Sequence, residues 1–283
     1  MVYGMPILVT MGESKNEKLN RLLETLGDTT LVSSRWLRAN GYASNLVARY
    51  MASGWLQSPA RGVYLRKGGK LSWEGLMRTL QLRELLPLHV GGRFALARQG
   101  HEHYLRLGES ATLTLYGAAK LPAWVSNLPL HDRVEACGKG PFDWPPLSFG
   151  AGTPDATLNA QGLERVADDT SAAGVVFSTP ERAILELCDE TPDSALVHEA
   201  NALMQGLATL RPQLVSALLQ HCDSVKAKRL FLALADRHRH AWLAHVNLQN
   251  VDLGSGKRVL VPGGKLNAKY QITLPADLDE QLG

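Results

Sequence analysis

Asn45, Ala48, Arg49 and Ala52 recur at i, i+3, i+4 and i+7, the spacing that sets four residues on one face of a helix. Two of them are small enough to let a helix approach a groove closely. The other two carry groups that read base edges: an amide suits adenine, and a guanidinium suits guanine or a phosphate. This chemistry is recognition rather than turnover. A second group, Lys226, Lys228 and Arg229, crowds the start of another helical run. The macrodipole is already positive there and acidic residues are preferred. Three cations beside free helix-end N–H groups would meet a phosphate or an acidic surface, which makes them the first candidate for a partner-facing site.

Catalytic readings fail on spacing. His101–His103 and His238–His240 are i, i+2 pairs that point apart on a helix, so no metal site is expected. The Leu253 to Arg258 run (LGSGKR) lacks the first glycine and the final hydroxyl of a phosphate loop, and no helix pattern follows; a hairpin turn accounts for it better. His221, Cys222 and Asp223 are not spaced as a nucleophile triad. Ser178-Thr179-Pro180-Glu181 is explained as a helix cap, which leaves Glu181 and Arg182 weak as functional candidates. The chain reads as no enzyme and implies no cofactor.

The elements around the first group give it a setting. Ser14-Lys15-Asn16-Glu17 has the capping-box form, and Leu19, Leu22, Leu23 and Leu26 follow as an apolar stripe that Gly27 ends. Ser33-Ser34 starts a second helix, which Asn40-Gly41 stops. A third runs from about Ser44 to about Ser53, with Leu46, Val47, Tyr50 and Met51 opposite the outward stripe. Two β-prone runs, Trp55 to Ser58 and Gly62 to Arg66, are joined by Pro59-Ala60-Arg61-Gly62, a hairpin with turn chemistry. Three helices and a hairpin spell a winged helix-turn-helix, with Arg61 at the wing tip and Arg66-Lys67 at its exit beside the phosphates.

Charge agrees with this reading. The 283-residue chain carries a formal net charge of only +3. Residues 1–70 hold ten basic side chains against four acidic ones, and no acidic residue lies between Asp28 and Glu74. A one-sign field over one small unit is what a polyanion-binding surface requires. With 45% hydrophobic residues, three cysteines, 26 Gly and 14 Pro, the composition excludes a disordered chain, a disulfide scaffold and a coiled coil. No apolar run approaches the ~18 residues of a membrane span, and Met1 to Thr10 is a poor secretory signal, so a cytoplasmic protein is expected.

The run SRWLRANGYASNLVARYMASGWLQSPARGVYLR (34–66) resembles the N-terminal winged helix of AbiEi-type antitoxins of type IV toxin–antitoxin systems, which act in abortive infection as phage defence. The resemblance continues in WEGLMRTLQLRELLPLHVGGRFALARQGHEHYL (73–105), LPAWV, STPERAILEL, VKAKRLFLALA, LGSGKRVLV and KYQITLP. It implies a bacterial autorepressor that binds inverted repeats of double-stranded operator DNA. It also implies a C-terminal domain that counters an AbiEii-like nucleotidyltransferase toxin without a stable complex. Carried onto this chain, the DNA contacts fall on Ser44, Asn45, Arg49, Arg61, Arg66 and Lys67, with Arg35 on the second helix counted among them. A stand-alone winged-helix repressor without antitoxin activity is the alternative.

The expected fold class is α+β: an N-terminal tail (1–12), a winged helix (13–70) and a larger, mainly helical C-terminal domain with short strands (71–283). The Gly- and Pro-dense stretch at 138–158 marks a possible subdomain junction. Within that domain a helix is expected from Trp73 to Leu86, a strand at 111–116, a helix opened by Thr179 and Pro180, a second carrying Leu196, Ala200, Leu203, Met204 and Leu207, a third opened by Pro212, a fourth from about Ser224 towards His245, and strands near 257–261 and 270–274.

Overall fold

The computed structural model describes residues 15–100, 112–150, 152–168, 171–191 and 193–278. The tail 1–12, Ser14 of the capping box and the His101–His103 pair lie outside these residues.

The N-terminal unit runs α1 (Lys15–Leu26), β1 (Val32–Ser33), α2 (Ser34–Ala39), α3 (Ser44–Ala52), β2 (Leu56–Ala60) and β3 (Val63–Arg66). The strands form an antiparallel sheet in the order β1-β3-β2. Leu22, Leu26, Val32, Leu37, Tyr42, Val47, Tyr50 and Leu56 fill a small core of its own. Leu31, Val63 and Leu65 instead join the main core with Leu76, Met77 and Leu80 of the next helix.

Residue 70 therefore falls in a packed seam. The helix behind it, α4 (Trp73–Arg78), continues as a π-helical turn over Thr79–Arg83, where a regular helix to Leu86 was expected. Leu85 then takes a left-handed backbone, φ 53°. Side chains from α4 and this turn reach back into the winged helix: Leu31 N donates to Thr79 Oγ1 at 3.0 Å, and Arg78 Nη2 donates to Thr29 Oγ1 at 2.6 Å. Gly75 permits the approach, because a Cβ there would stand 2.0 Å from the Thr29 carbonyl oxygen.

The C-terminal domain contains more sheet than its sequence announced. β4 (His89–Val90), β5 (Thr112–Tyr116), β6 (Arg133–Ala136), β7 (Leu163–Asp168) and β8 (Ser171–Ser178) make a mixed five-stranded sheet in the order β6-β5-β4-β8-β7. α5 (Gly92–Arg98) and α6 (Asp155–Ala160) lie between its strands in sequence. Val175, Val176, Phe177 and Ser178 of β8 are all buried, so the strand shows no alternation to read.

α7 (Pro180–Glu190) is buried from Glu181 to Cys188 and packs on α5 and on the later helices α8 (Ser194–Gly206), α9 (Pro212–Gln220) and α10 (Val225–Arg237). α10 ends at Arg237 rather than His245, and Ala241–His245 is a separate 3-10 turn. The expected strand at 257–261 is reduced to a single bridge, Arg258 to Ile272. The terminal hairpin is instead β9 (Lys265–Asn267) with β10 (Ile272–Leu274). Among the described residues no helix is long and apolar enough to cross a membrane.

Candidate nucleic-acid interface

Ser33 caps α2, its Oγ accepting from Trp36 N at 3.0 Å. Gly41, at φ 79°, makes the left-handed stop that turns the chain into α3. Val47 and Tyr50 of α3 are buried, with Leu46 and Met51 packed beside them. That packing leaves Ser44, Asn45, Ala48, Arg49 and Ala52 exposed. The wing turns at Arg61-Gly62, where Gly62 has φ 83°, and Ser34 N donates to Gly62 O at 2.8 Å, tying the wing tip to the start of α2.

Arg35, Arg61, Arg66 and Lys67 are all exposed. Arg66 Nη1 pairs with Asp28 Oδ1 at 3.3 Å, both largely in solvent, a contact that contributes little. Arg35, Arg49, Arg61 and Lys67 form no ion pair with the described residues. The surface thus presents one amide, several uncommitted cations and small side chains along a single helix and its neighbouring ribbon. It suits the edge of a groove and the phosphates beside it.

Sequence spacing gave no hint of what braces this surface from behind. Arg83, from the π turn, donates to the Thr25 carbonyl at 3.0 Å and stacks 5.3 Å over the ring of Trp36 on α2. Trp36 in turn stacks on Tyr42, centroids 6.5 Å apart, immediately before α3. Burial pushes the Arg83 pKa down, the sign of a cation held in a poorly hydrated place.

Replacing Arg83 with Met keeps the stem and removes the cation and donor. The expected result is a several-fold loss of DNA affinity with an unchanged dependence on salt, because no phosphate contact is lost. Fluorescence anisotropy across a salt series measures both quantities.

The second cationic group does not form the surface its spacing suggested. Lys228 and Arg229 are only 4% and 3% exposed. Arg229 donates through Nε to Leu253 O at 2.6 Å and through Nη1 to Gly256 O at 2.6 Å and Gln271 O at 2.9 Å. It therefore clasps the chain's last segment onto α10. Lys226 Nζ caps the end of α7, donating to the Asp189 and Thr191 carbonyls. Unsatisfied carbonyls, rather than an outside anion, account for Lys226 and Arg229.

The cap explanation of Glu181 also changes. Thr179 makes no side-chain cap bond, and Glu181 instead accepts from Arg211 Nε at 2.9 Å, Nη2 at 3.0 Å and the backbone N–H at 3.0 Å. Burial alone would raise the Glu181 pKa, but these bonds hold it below the usual carboxylate range.

His238 and His240 direct Nε2 to the Asn201 and Met204 carbonyls of α8. Among the described residues no group of three His, Cys, Asp or Glu side chains is placed to hold a metal. Cys137, Cys188 and Cys222 are free thiols, and burial pushes Cys222 up to about 11.

Comparison with known proteins places this geometry in context. Residues 15–107 match the family described as transcriptional regulator, AbiEi antitoxin N-terminal domain. Residues 109–275 match the family described as transcriptional regulator, AbiEi antitoxin, type IV TA system. No curated protein matches the chain. Among solved structures, the crystal structure of RV2827C protein from Mycobacterium tuberculosis aligns with a TM-score of 0.50 at 16% identity. The alignment covers 95% of this chain and 94% of that one, which shows a shared fold.

Proposed function

The chain belongs to the AbiEi antitoxin family of transcriptional regulators from type IV toxin–antitoxin systems, and on that premise we propose a division of labour within it. The winged helix binds inverted repeats of operator DNA and represses the chain's own operon. The C-terminal domain neutralises a nucleotidyltransferase-like toxin without forming a stable complex. α3 enters the major groove with Asn45 and Arg49 on base edges and Ser44 beside them, while Arg35, Arg61, Arg66 and Lys67 hold phosphates.

One observation carries the reading: the small and polar face of α3 is exposed beside a cationic ribbon in which Asp28 is the one acidic partner among the described residues. Arg61→Ala should weaken binding about equally on operator and unrelated duplex, and should lower the slope of log affinity against log salt by about one. Gel shifts over a salt series test this. Unshifted promoter DNA at every salt concentration would end the proposal.

The alternative, a repressor without antitoxin activity, gains some weight from Lys226 and Arg229. Their hydrogen bonds run to the chain's own carbonyls, which weakens the case for them as a toxin-facing surface. Co-expression with the adjacent gene separates the two: protection from toxicity supports the antitoxin, and its absence the plain repressor.

A further inference from the structure

At the centre of the C-terminal domain lies a polar cluster that DNA recognition does not use. α7 turns Glu186 inward until it is fully buried. Four donors converge on its carboxylate. His89 Nε2 lies 3.0 Å and Arg182 Nε 2.8 Å from Oε1; Ser178 Oγ lies 2.8 Å and the Gly92 N–H 3.1 Å from Oε2. Glycine at 91 makes room for this, since a Cβ there would stand 2.2 Å from Oε2. Burial alone would raise the Glu186 pKa, but His89 and Arg182 hold it below the usual range.

The ionised Glu186 accepts from His89, so the proton of the neutral imidazole sits on Nε2. Burial first, and Arg182 second, push the His89 pKa down against the opposing pull of Glu186, and the net shift favours the neutral ring. Nδ1 therefore presents a lone pair. No described residue donates to it, although His89 is only 3% exposed. Nδ1 is not among the fully buried side-chain atoms left without a partner, so its lone pair faces the adjoining cavity rather than packed protein.

A cavity of about 50 Å³ opens beside this ring. His89 and Arg182 line it, Lys139 stands at its rim, and Phe142, Trp144 and Phe149 close over it. Arg182 commits Nε to Glu186 and Nη1 to the Gln161 carbonyl at 2.8 Å, and lies 4.5 Å from the Phe142 ring. Its Nη2 has no partner among the described residues. Among the described residues Lys139 is held only by an exposed contact with Asp223 at 3.5 Å, weak enough for the ammonium to swing inward.

A ligand that completes the site must donate to His89 Nδ1, accept from Arg182, carry negative charge towards Lys139, and be about the size of one phosphoryl group. A protonated phosphate has all four properties on one tetrahedron. Sulfate has the size and the charge but no proton to donate at neutral pH. We propose that this cavity binds the phosphate monoanion, either free or as the head of a phosphomonoester. None of these residues belongs to the winged helix, so the site stands or fails independently of operator binding.

The test uses the full chain labelled with ¹⁵N, its histidine ring nitrogens followed by NMR at pH 7 while inorganic phosphate, methyl phosphate and sulfate are added at matched ionic strength. The expected result is a saturable shift of His89 Nδ1 with phosphate and a response to sulfate at least tenfold weaker. Tighter binding of methyl phosphate than of phosphate assigns the site to an ester; the reverse assigns it to the free ion. In His89→Gln, whose amide still donates to Glu186 but which carries no imidazole reporter, the heat of phosphate binding seen by calorimetry in the wild type should be lost. The wild-type titration decides even if that variant fails to fold. Equal responses to phosphate and sulfate, or no response to phosphate, would overturn the proposal and leave a solvent-filled cavity.

Discussion

Arg49→Ala should lower the preference for operator over scrambled duplex by about 5–150-fold, the ~1–3 kcal/mol of discrimination carried by one bidentate guanidinium–guanine pair. The side chain is exposed on α3 and pairs with no described carboxylate, so its removal should leave the fold intact. Affinity for unrelated DNA should change by no more than one lost cation allows. Competition anisotropy at fixed salt, with both duplexes, gives the ratio directly. An equal fall on both would place Arg49 on a phosphate and move the base reading to Asn45. The contrast with Arg61 is the useful part: the helix residue should alter selectivity and the wing residue the salt slope. Arg83 should alter neither, only the strength with which the head is held in its pose.

The winged helix was legible because its signals are local. The Ser33 cap, the left-handed Gly41 and the apolar stripe of α3 all act within a few residues, and each appears where the spacing put it. The seam behind it was not. Thr79 and Arg83 look like ordinary helix residues, and the groups they meet lie 48 and 58 positions earlier in the chain. The cationic group at 226–229 failed for a related reason. A dipole argument describes an isolated helix, whereas Arg229 is surrounded by a segment from Leu253 to Gln271 that no periodicity announces. β8 escaped because a strand buried on both faces loses its alternation; β7 is its edge partner, with Val166 and Ala167 exposed, and Gly174, at φ 63°, bends the pair where the register shifts between Val166 and Asp168. The His89–Glu186 pair spans 97 positions, and neither residue is unusual where it stands.

Glu186→Ala should be the most damaging single substitution in the C-terminal domain. Its carboxylate gathers donors from β4, β8, the start of α5 and α7 itself, so its loss strands several groups at once. Arg182 would remain as a buried cation with one fewer partner, and His89, Ser178 and Gly92 N–H would lose their acceptor. Breaking a buried ion pair from one side costs about 3–5 kcal/mol, a large share of the ~5–15 kcal/mol that holds a typical domain together. At roughly 2–4 °C per kcal/mol for a chain of this size, the melting temperature should fall by about 10 °C. Glu186→Gln, which keeps one acceptor and the shape, should cost less.

The acid limb of the stability profile supplies a second signature. His89 is held below its ordinary value of 6.5, so the unfolded chain takes up that proton first and stability declines as the pH drops below about 6.5. Glu186 is held below its ordinary value of 4.5, so its contribution is complete above that pH and is lost as the pH falls through the depressed folded value. Urea denaturation between pH 3 and 8 should therefore show two successive losses in the wild type. In Glu186→Gln the lower one should be flattened, because the amide does not titrate. If the variant kept the full lower step, acid sensitivity would belong to other carboxylates, with Glu181 and its Arg211 clamp the next to examine.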